Sequence, residues 1–160
     1  MSTCGFKLLN MKKIHIDNDN IWATPPYFYR KLDERFNFDF DPCPYNDGEL
    51  EFDGLEVEWG ERNFVNPPYS RKLKELFVKK GIEEANKGKL CVFLIPVSTS
   101  TALFHDYIVP NASEIMLVRG RLKFGKIDKD GNFYLPLNKH GKVSGGTKDS
   151  MVIVFDGRNS

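Results

Sequence analysis

The chain has 160 residues, of which 41% are hydrophobic, 13% aromatic and 28% charged, and its formal net charge is +1 at pH 7. This length fits one domain (residues 1–160) with a sizeable core, and the composition argues against disorder. The longest apolar run, Leu90 to Val97, is far shorter than the ~20 residues that a bilayer crossing needs, so we expect no membrane span.

Cysteine and histidine usage indicates a reducing compartment and no metal centre. The three cysteines are odd in number and scattered, which is typical of reduced thiols in a cytoplasm, and the three histidines show no metal-ligand spacing with them. The first residues contain no continuous apolar segment, so we expect no secretory signal. These patterns predict a cytoplasmic protein without a metal ion.

The first part of the chain predicts a polar leader (residues 1–20), then a helix and a strand. Thr24 precedes two prolines, and apolar residues follow at helical spacing, so Thr24 is predicted to cap a short helix. Phe36, Phe38 and Phe40 alternate with polar residues, which predicts a half-buried strand that ends at Asp41. Residues 46–61 are acidic and turn-rich, with room for at most one short strand or helical turn.

The remainder predicts strands that alternate with helices. Asn63 to Val65 are predicted to form a strand before N-P-P-Y, and Ser70 can cap a helix that ends near Gly88. The apolar run at residues 90–97 predicts a strand that is buried on both faces. A short helix and two more strands follow, and residues 125–148 form a glycine-rich loop or insertion between these two strands. This order predicts a doubly wound α/β sheet with right-handed crossovers, which join parallel strands.

Unusual residues follow three of the predicted strands. Asp41, Asn66 and the segment 96–98 come directly after strands, and ligands of such sheets bind beyond the carboxyl ends of the strands. Residues 119–160 carry nine basic and four acidic side chains. This excess is consistent with a polyanion-binding surface or with a solvated face.

The segment N-P-P-Y at residues 66–69 has the chemistry to hold a planar amine. Pro67 and Pro68 cannot continue a sheet ladder, and Asn66 adds a side-chain acceptor beside the backbone carbonyls. Tyr69 adds a flat face on which a ring can stack. An aromatic amine such as adenine could donate both hydrogens to Asn66 and the Pro67 carbonyl, although the string alone is more often a turn or a polyproline ligand.

Four ordered blocks carry a resemblance to a known family. They read WATPPYFYRKLDERFNFDFDPCP, FVNPPYS, LIPVSTSTALFHDYI and IMLVRGRLKFG. Together they resemble the compact phage DNA N-6-adenine methyltransferases, called Dam-like, from about Trp22 to Phe155. The resemblance implies an α/β, compact Rossmann-like methyltransferase fold, abbreviated in its first half, with S-adenosylmethionine as cofactor.

The resemblance also implies roles for individual residues. The catalytic residues would be Asn66, Pro67, Pro68 and Tyr69, and cofactor contacts would come from Trp22, Thr24, Pro25, Asp41, Pro42 and Cys43. Basic residues that could contact DNA are Arg71, Arg119, Arg121, Lys123 and Lys126. The partner would be duplex DNA with the target adenine flipped out, in a phage or prophage setting, and the protein is expected to be a monomer.

The chain departs from the wider family after Asp41. A glycine-rich turn is expected there, but the sequence reads DPCPYNDG, and the carboxylate that binds the cofactor ribose is unassigned among Asp39, Asp47 and Asp53. Two alternatives to DNA adenine methylation stay open. One is methylation of a glutamine side-chain amide in a protein, since this amide is also planar with two hydrogens, although such enzymes usually have the glycine-rich turn. The other is a non-catalytic DNA-binding or host-interaction protein, which the missing turn keeps open.

Overall fold

The computed structural model describes residues 14–15, 21–46, 49–50, 52–143, 146 and 148–158. Its helical segments are α1 (Pro26–Phe36), α2 (Arg71–Asn86), a π-helical segment (Leu103–Ile108) and the short α3 (Val109–Asn111). Its strands are β1 (Ile14–His15), β2 (Tyr45–Asn46), β3 (Glu49–Leu50), β4 (Arg62–Val65), β5 (Leu90–Pro96), β6 (Glu114–Leu117), β7 (Lys126–Ile127), β8 (Phe133–Tyr134) and β9 (Ser150–Asp156).

The central sheet is mixed. Its strands lie in the order β4, β5, β9, β6, with β4 parallel to β5 and with β9 antiparallel to both of its neighbours. Phe40 adds a parallel bridge to Asn63 beside β4. The prediction of a parallel sheet is therefore wrong for β9, because this strand returns along β5 in the opposite direction.

Helices cover both faces of the sheet. Phe93 and Ile95 of β5 pack in the same core as Phe77 of α2, and Val92 and Leu94 pack in the other core, with Leu32 of α1. This alternation explains why β5 reads as a continuous apolar run, since neither of its faces meets water. β5 and β9 lie at the centre, and residues 90–95 and 150–155 are all buried.

The entry into α1 differs from the sequence prediction. Pro25, not Thr24, occupies the N-cap position, and no described side chain forms a capping hydrogen bond with this helix. The predicted strand from Phe36 is also wrong, because α1 continues through Phe36 and ends at Asn37, which has a left-handed backbone (φ 52°). Leu32 and Phe36 are both buried, so their helical spacing outweighed the alternating pattern, and only Phe40 still bridges to the sheet.

The smaller elements correct two further expectations. Residues 46–61 were predicted to hold at most one short strand, yet β2 and β3 both reach into this stretch and pair antiparallel. The glycine-rich segment 125–148 contains the antiparallel hairpin β7–β8 and a bridge between Leu137 and Val143. Within the described ranges, we find no helix that is long and apolar enough to cross a membrane.

A buried ion pair fastens the end of α2 to the loop before β4. Glu84 is 0% exposed, and its carboxylate accepts hydrogen bonds from Lys89 Nζ (2.8 Å) and from the backbone N–H of Trp59 (3.2 Å). Lys89 Nζ also donates to the Trp59 carbonyl (2.8 Å). Burial raises the pKa of the Glu84 carboxyl, but the hydrogen bonds from Lys89 and Trp59 lower it more, so the net change is downward.

Candidate active site

The structure brings together the residues that follow three strand ends. Asp41 and Asn66 line one cavity of about 370 Å³, which we call the Asp41 cavity. Tyr69 and the segment 96–98 line a second cavity of about 430 Å³, which we call the Tyr69 cavity. Because Phe40, β4 and β5 run parallel, the segments that follow them lie at one edge of the sheet, as expected. They do not form the single cleft that was expected, since Asn66 and Tyr69 of N-P-P-Y line different cavities.

Asn66 is held through its amide nitrogen. Its Nδ2 donates to the Trp22 carbonyl (2.7 Å) and to Thr24 Oγ1 (3.1 Å). A backbone carbonyl can only accept, so this contact fixes which end of the amide is nitrogen. Its Oδ1 is shielded from solvent and has no hydrogen-bond partner among the residues that the structure describes. A buried acceptor without a partner costs about 1–3 kcal/mol, which a ligand that donates a hydrogen bond would recover.

The lining of the Asp41 cavity contains three of the six expected cofactor contacts, Thr24, Asp41 and Cys43. The other three do not line it. Pro25 and Pro42 lie beside lining residues in the chain, and Trp22 supplies the carbonyl that holds Asn66. The remaining lining residues are Ala23, Pro26, Tyr29, Pro44, Phe64, Asn66 and Ile127.

Asp41 is the carboxylate of this cavity and also shapes its wall. Its Oδ1 accepts a hydrogen bond from the Cys43 backbone N–H (2.8 Å), which closes a tight turn after Phe40. Burial raises the pKa of the Cys43 thiol well above its ordinary value, and the carboxylates of Asp41 and Asp53 add to this increase. Cys43 is therefore a neutral wall residue rather than a reactive thiolate.

Neither described candidate for the ribose-binding carboxylate lines the Asp41 cavity. Asp39 accepts a hydrogen bond from the Arg62 backbone and pairs with the Arg62 side chain (3.4 Å). Asp53 accepts from the Leu55 backbone N–H (2.9 Å). Asp47 lies outside the described residues. In the described part of the chain, Asp41 is thus the carboxylate that lines this cavity.

Tyr69 forms a half-buried wall of the second cavity. The ring meets Phe124 edge to face at 6.0 Å between centroids, and Lys148 Nζ lies 5.4 Å from the centroid of the Tyr69 ring. Burial raises the pKa of the Tyr69 phenol above its ordinary value. The phenol therefore stays neutral at physiological pH, and its ring offers an uncharged face.

The five basic residues expected to contact DNA have different surroundings. Arg119 and Lys123 are exposed, Arg71 pairs with Glu75 at 3.4 Å, and Arg121 pairs with Asp149 at 3.1 Å. Lys126 is half-buried, donates to the Ile21 carbonyl and lies 3.9 Å from the centroid of the Trp22 ring. Of the five, only Arg121 lines a described cavity.

Sequence reasoning missed several residues that line the two cavities. Tyr29 follows Pro26 by three positions in α1, and this helical spacing could have placed both at the Asp41 cavity. Lys74 occupies the first turn of α2, four residues after Ser70, and Lys148 precedes β9. The positions of Phe64, Ile127 and Lys148 depend on tertiary contacts, so no local pattern could have revealed them.

The comparison with known proteins adds a family to this geometry. Residues 11–159 match the family model described as DNA N-6-adenine-methyltransferase (Dam). The chain belongs to this family.

A relative of the Dam family from Escherichia phage T1, named DNA N-6-adenine-methyltransferase, is 31% identical over 150 residues. The match covers 88% of this chain and 59% of that protein, so the chain spans about three fifths of the length of its relative. In the described part of this Dam family member, no group of three or more His, Cys, Asp or Glu side chains is arranged to hold a metal ion.

Proposed function

We propose that this Dam family member transfers a methyl group from S-adenosylmethionine to the exocyclic 6-amino group of adenine in DNA. The observation that carries the proposal is Asn66, whose amide nitrogen is held by Trp22 and Thr24 while its Oδ1 has no partner in the described part of the chain. An acceptor fixed in this way suits a substrate that brings an N–H donor, and the adenine amine is such a donor.

The residues of the Asp41 cavity fit the proposed cofactor. Its volume of about 370 Å³ lies within the range of small-molecule sites, and its walls combine apolar surface with one carboxylate. Asp41 would face the ammonium group of S-adenosylmethionine, and Tyr29 and Phe64 would contact its less polar parts. When bound, the cofactor supplies an electrophilic methyl group. The helices on both faces of the mixed sheet support the proposed abbreviated Rossmann-like fold.

Asn66 and Pro67 would act by orienting the amine. The nitrogen of an aromatic amine is a poor nucleophile, because its lone pair is delocalised into the ring. Two acceptors, Asn66 Oδ1 and the Pro67 carbonyl, would draw the amine hydrogens to one side and favour a tetrahedral nitrogen. Because the dipoles of this segment are fixed before the base arrives, little reorganisation is needed during the reaction.

Tyr69 would hold the base outside the duplex. Removing a base from its stack costs a few kcal/mol, and stacking on an aromatic side chain recovers about 1–3 kcal/mol. The neutral Tyr69 ring would therefore offset much of this cost, and contacts to the DNA backbone would supply the rest. The partner we propose is duplex DNA with the adenine flipped out, bound by a monomer in the cytoplasm of a phage-infected bacterium.

Incubation with labelled S-adenosylmethionine and unmethylated DNA, followed by nucleoside mass spectrometry, tests the proposal. We expect the label in N6-methyladenine, and sequencing of the methylated positions then gives the target site. Label in methylcytosine would refute the adenine assignment, and label in protein alone would favour methylation of a glutamine amide. Absence of both transfer and heat of binding with millimolar S-adenosylmethionine would favour the non-catalytic alternative.

A further inference from the structure

The Tyr69 cavity has an excess of positive charge. Lys74, Arg121 and Lys148 line it, and Asp149 is the acidic residue of the same lining. Asp149 Oδ1 accepts a hydrogen bond from Arg121 Nε at 3.1 Å, so this carboxylate is already paired. The two lysines remain to attract an anion.

The positively charged ammonium groups of Lys74 and Lys148 repel each other. Burial lowers the pKa of the Lys74 ammonium, and the nearby charge of Lys148 lowers it further. Glu75 acts in the opposite direction but does not reverse the change. An anion between Lys74 and Lys148 would relieve this repulsion, because it would interact favourably with both ammonium groups.

Described backbone contacts flank Lys148 at Gly146 and Asp149. Gly146 approaches the Leu122 carbonyl so closely that an added Cβ would lie 2.4 Å from this oxygen. On the other side of Lys148, the Asp149 carbonyl accepts a hydrogen bond from the Val97 N–H at 2.8 Å. Lys148 thus directly precedes a residue whose backbone is fixed at the end of β5, and its own long side chain is exposed.

Lys148 also touches the surface that the target base would use. Its Nζ lies 5.4 Å from the centroid of the Tyr69 ring, at a distance where a cation and an aromatic face attract each other. A base that stacks on this ring would displace the ammonium. The nearest new anion would then be a phosphate attached to the sugar of the same nucleotide.

We propose that the Tyr69 cavity binds one phosphodiester that flanks the target adenine, with Lys74 and Lys148 as its two charged ligands. In this arrangement Lys148 lies over the Tyr69 ring before DNA binds and moves to the phosphate when the base stacks. The inference rests on the proposed function, since it takes DNA as the substrate. It assigns a position to the phosphate and a role to two lysines that are not among the residues predicted to contact DNA.

The first test uses single substitutions that remove charge and keep side-chain length. In K74M and K148M we expect a higher KM for DNA and an unchanged Kd for S-adenosylmethionine. Each variant should also lower the slope of log K for DNA against log salt concentration by about 0.9, the value for one lost phosphate contact. K31M is the matched control, because Lys31 is exposed on α1 and should leave all of these values unchanged.

The second test removes the charge from the DNA instead. A single methylphosphonate linkage is moved through the mapped target site, one position at a time, and the KM of the wild-type protein is measured for each duplex. We expect one linkage next to the target adenine to raise the KM several-fold for the wild type. The same linkage should have little further effect on K148M, because the contact is already lost there.

These tests separate the inference from the proposed function. If the wild type methylates adenine but K74M and K148M keep the salt slope of K31M, the phosphate site is refuted and the methyltransferase activity stands. The same conclusion follows if wild type and K148M respond alike to every neutral linkage. If the wild type methylates no adenine, the proposed function itself fails.

Discussion

The side-chain amide of Asn66 donates a 3.1 Å hydrogen bond to Thr24 Oγ1, which lies 42 positions earlier in the chain. Both residues line the Asp41 cavity. The contact joins the segment before α1 to the segment after β4, so it couples the proposed cofactor site to the proposed catalytic loop. Besides the expected contact with the cofactor, Thr24 therefore has a second candidate role, which is to position Asn66.

Substitution of Thr24 separates positioning from direct cofactor binding. Thr24→Val removes the acceptor and leaves one donor of Asn66 Nδ2 unpaired, which costs about 1–3 kcal/mol. We expect kcat to fall roughly tenfold while the Kd for S-adenosylmethionine, measured by calorimetry, changes little. Thr24→Ser keeps the hydroxyl and should retain activity. A raised Kd with unchanged kcat in T24V would show that Thr24 contacts the cofactor instead.

Asn66→Ala tests the proposed acceptor directly. Loss of one preorganised polar contact at a reacting group costs about 10²–10³ in kcat, and we expect at least this loss of methyl transfer, with cofactor binding largely intact. Asn86, which is exposed at the end of α2, offers a control. In N86A we expect wild-type transfer, and full activity in N66A would show that the amide does not position the amine.

Much of the sheet could be predicted from local patterns, but its strand directions could not. The apolar runs of β5 and β9 identify buried strands, because neither face of these strands meets water. An apolar run carries no information about strand direction, however, so the antiparallel pairing of β9 could not be predicted from it. At Phe36 two periodic signals overlapped, and packing against the sheet decided in favour of the helix.

The candidate site shows a similar division. Asn66 and Tyr69 could be found because two prolines lie between them directly after the end of a strand, which is a strong local signal. Lys74 and Lys148 could not be found in this way, since 74 positions separate them and only the tertiary fold brings both to the Tyr69 cavity. The hydrogen bond between Thr24 and Asn66 could not be predicted for the same reason, and the sequence indicates Thr24 only as a helix cap and a cofactor contact.

Tyr69 is expected to act through its ring and not through its hydroxyl. Because burial raises the pKa of the phenol, the group stays neutral over the working range of pH. Tyr69→Phe should therefore keep most of the activity and leave the pH profile of kcat unchanged. Tyr69→Ala removes stacking worth about 1–3 kcal/mol, so we expect kcat/KM for DNA to fall about 5- to 150-fold. Equal losses in Y69F and Y69A would contradict this role.

The buried pair of Glu84 and Lys89 should dominate the stability of this region. Glu84→Gln leaves the Lys89 ammonium without its closest carboxylate, and breaking a buried pair in this way costs about 3–5 kcal/mol. Urea unfolding at pH 7 measures this loss as a change in the free energy of unfolding. Glu83 is exposed on the same helix, so Glu83→Gln should change that free energy by less than about 0.5 kcal/mol.

The loss in Glu84→Gln should also depend on pH. The folded state lowers the pKa of Glu84, so the carboxylate stabilises the fold above its unfolded pKa of about 4.3. This contribution disappears as the pH falls through the folded pKa. Lys89 has a raised pKa in the folded state, so its contribution is complete below about pH 10 and disappears at higher pH.

The difference in the free energy of unfolding between wild type and E84Q should therefore be largest from about pH 5 to 10 and shrink in acid. A constant difference down to pH 3 would show that Glu84 stabilises the fold by packing rather than by charge.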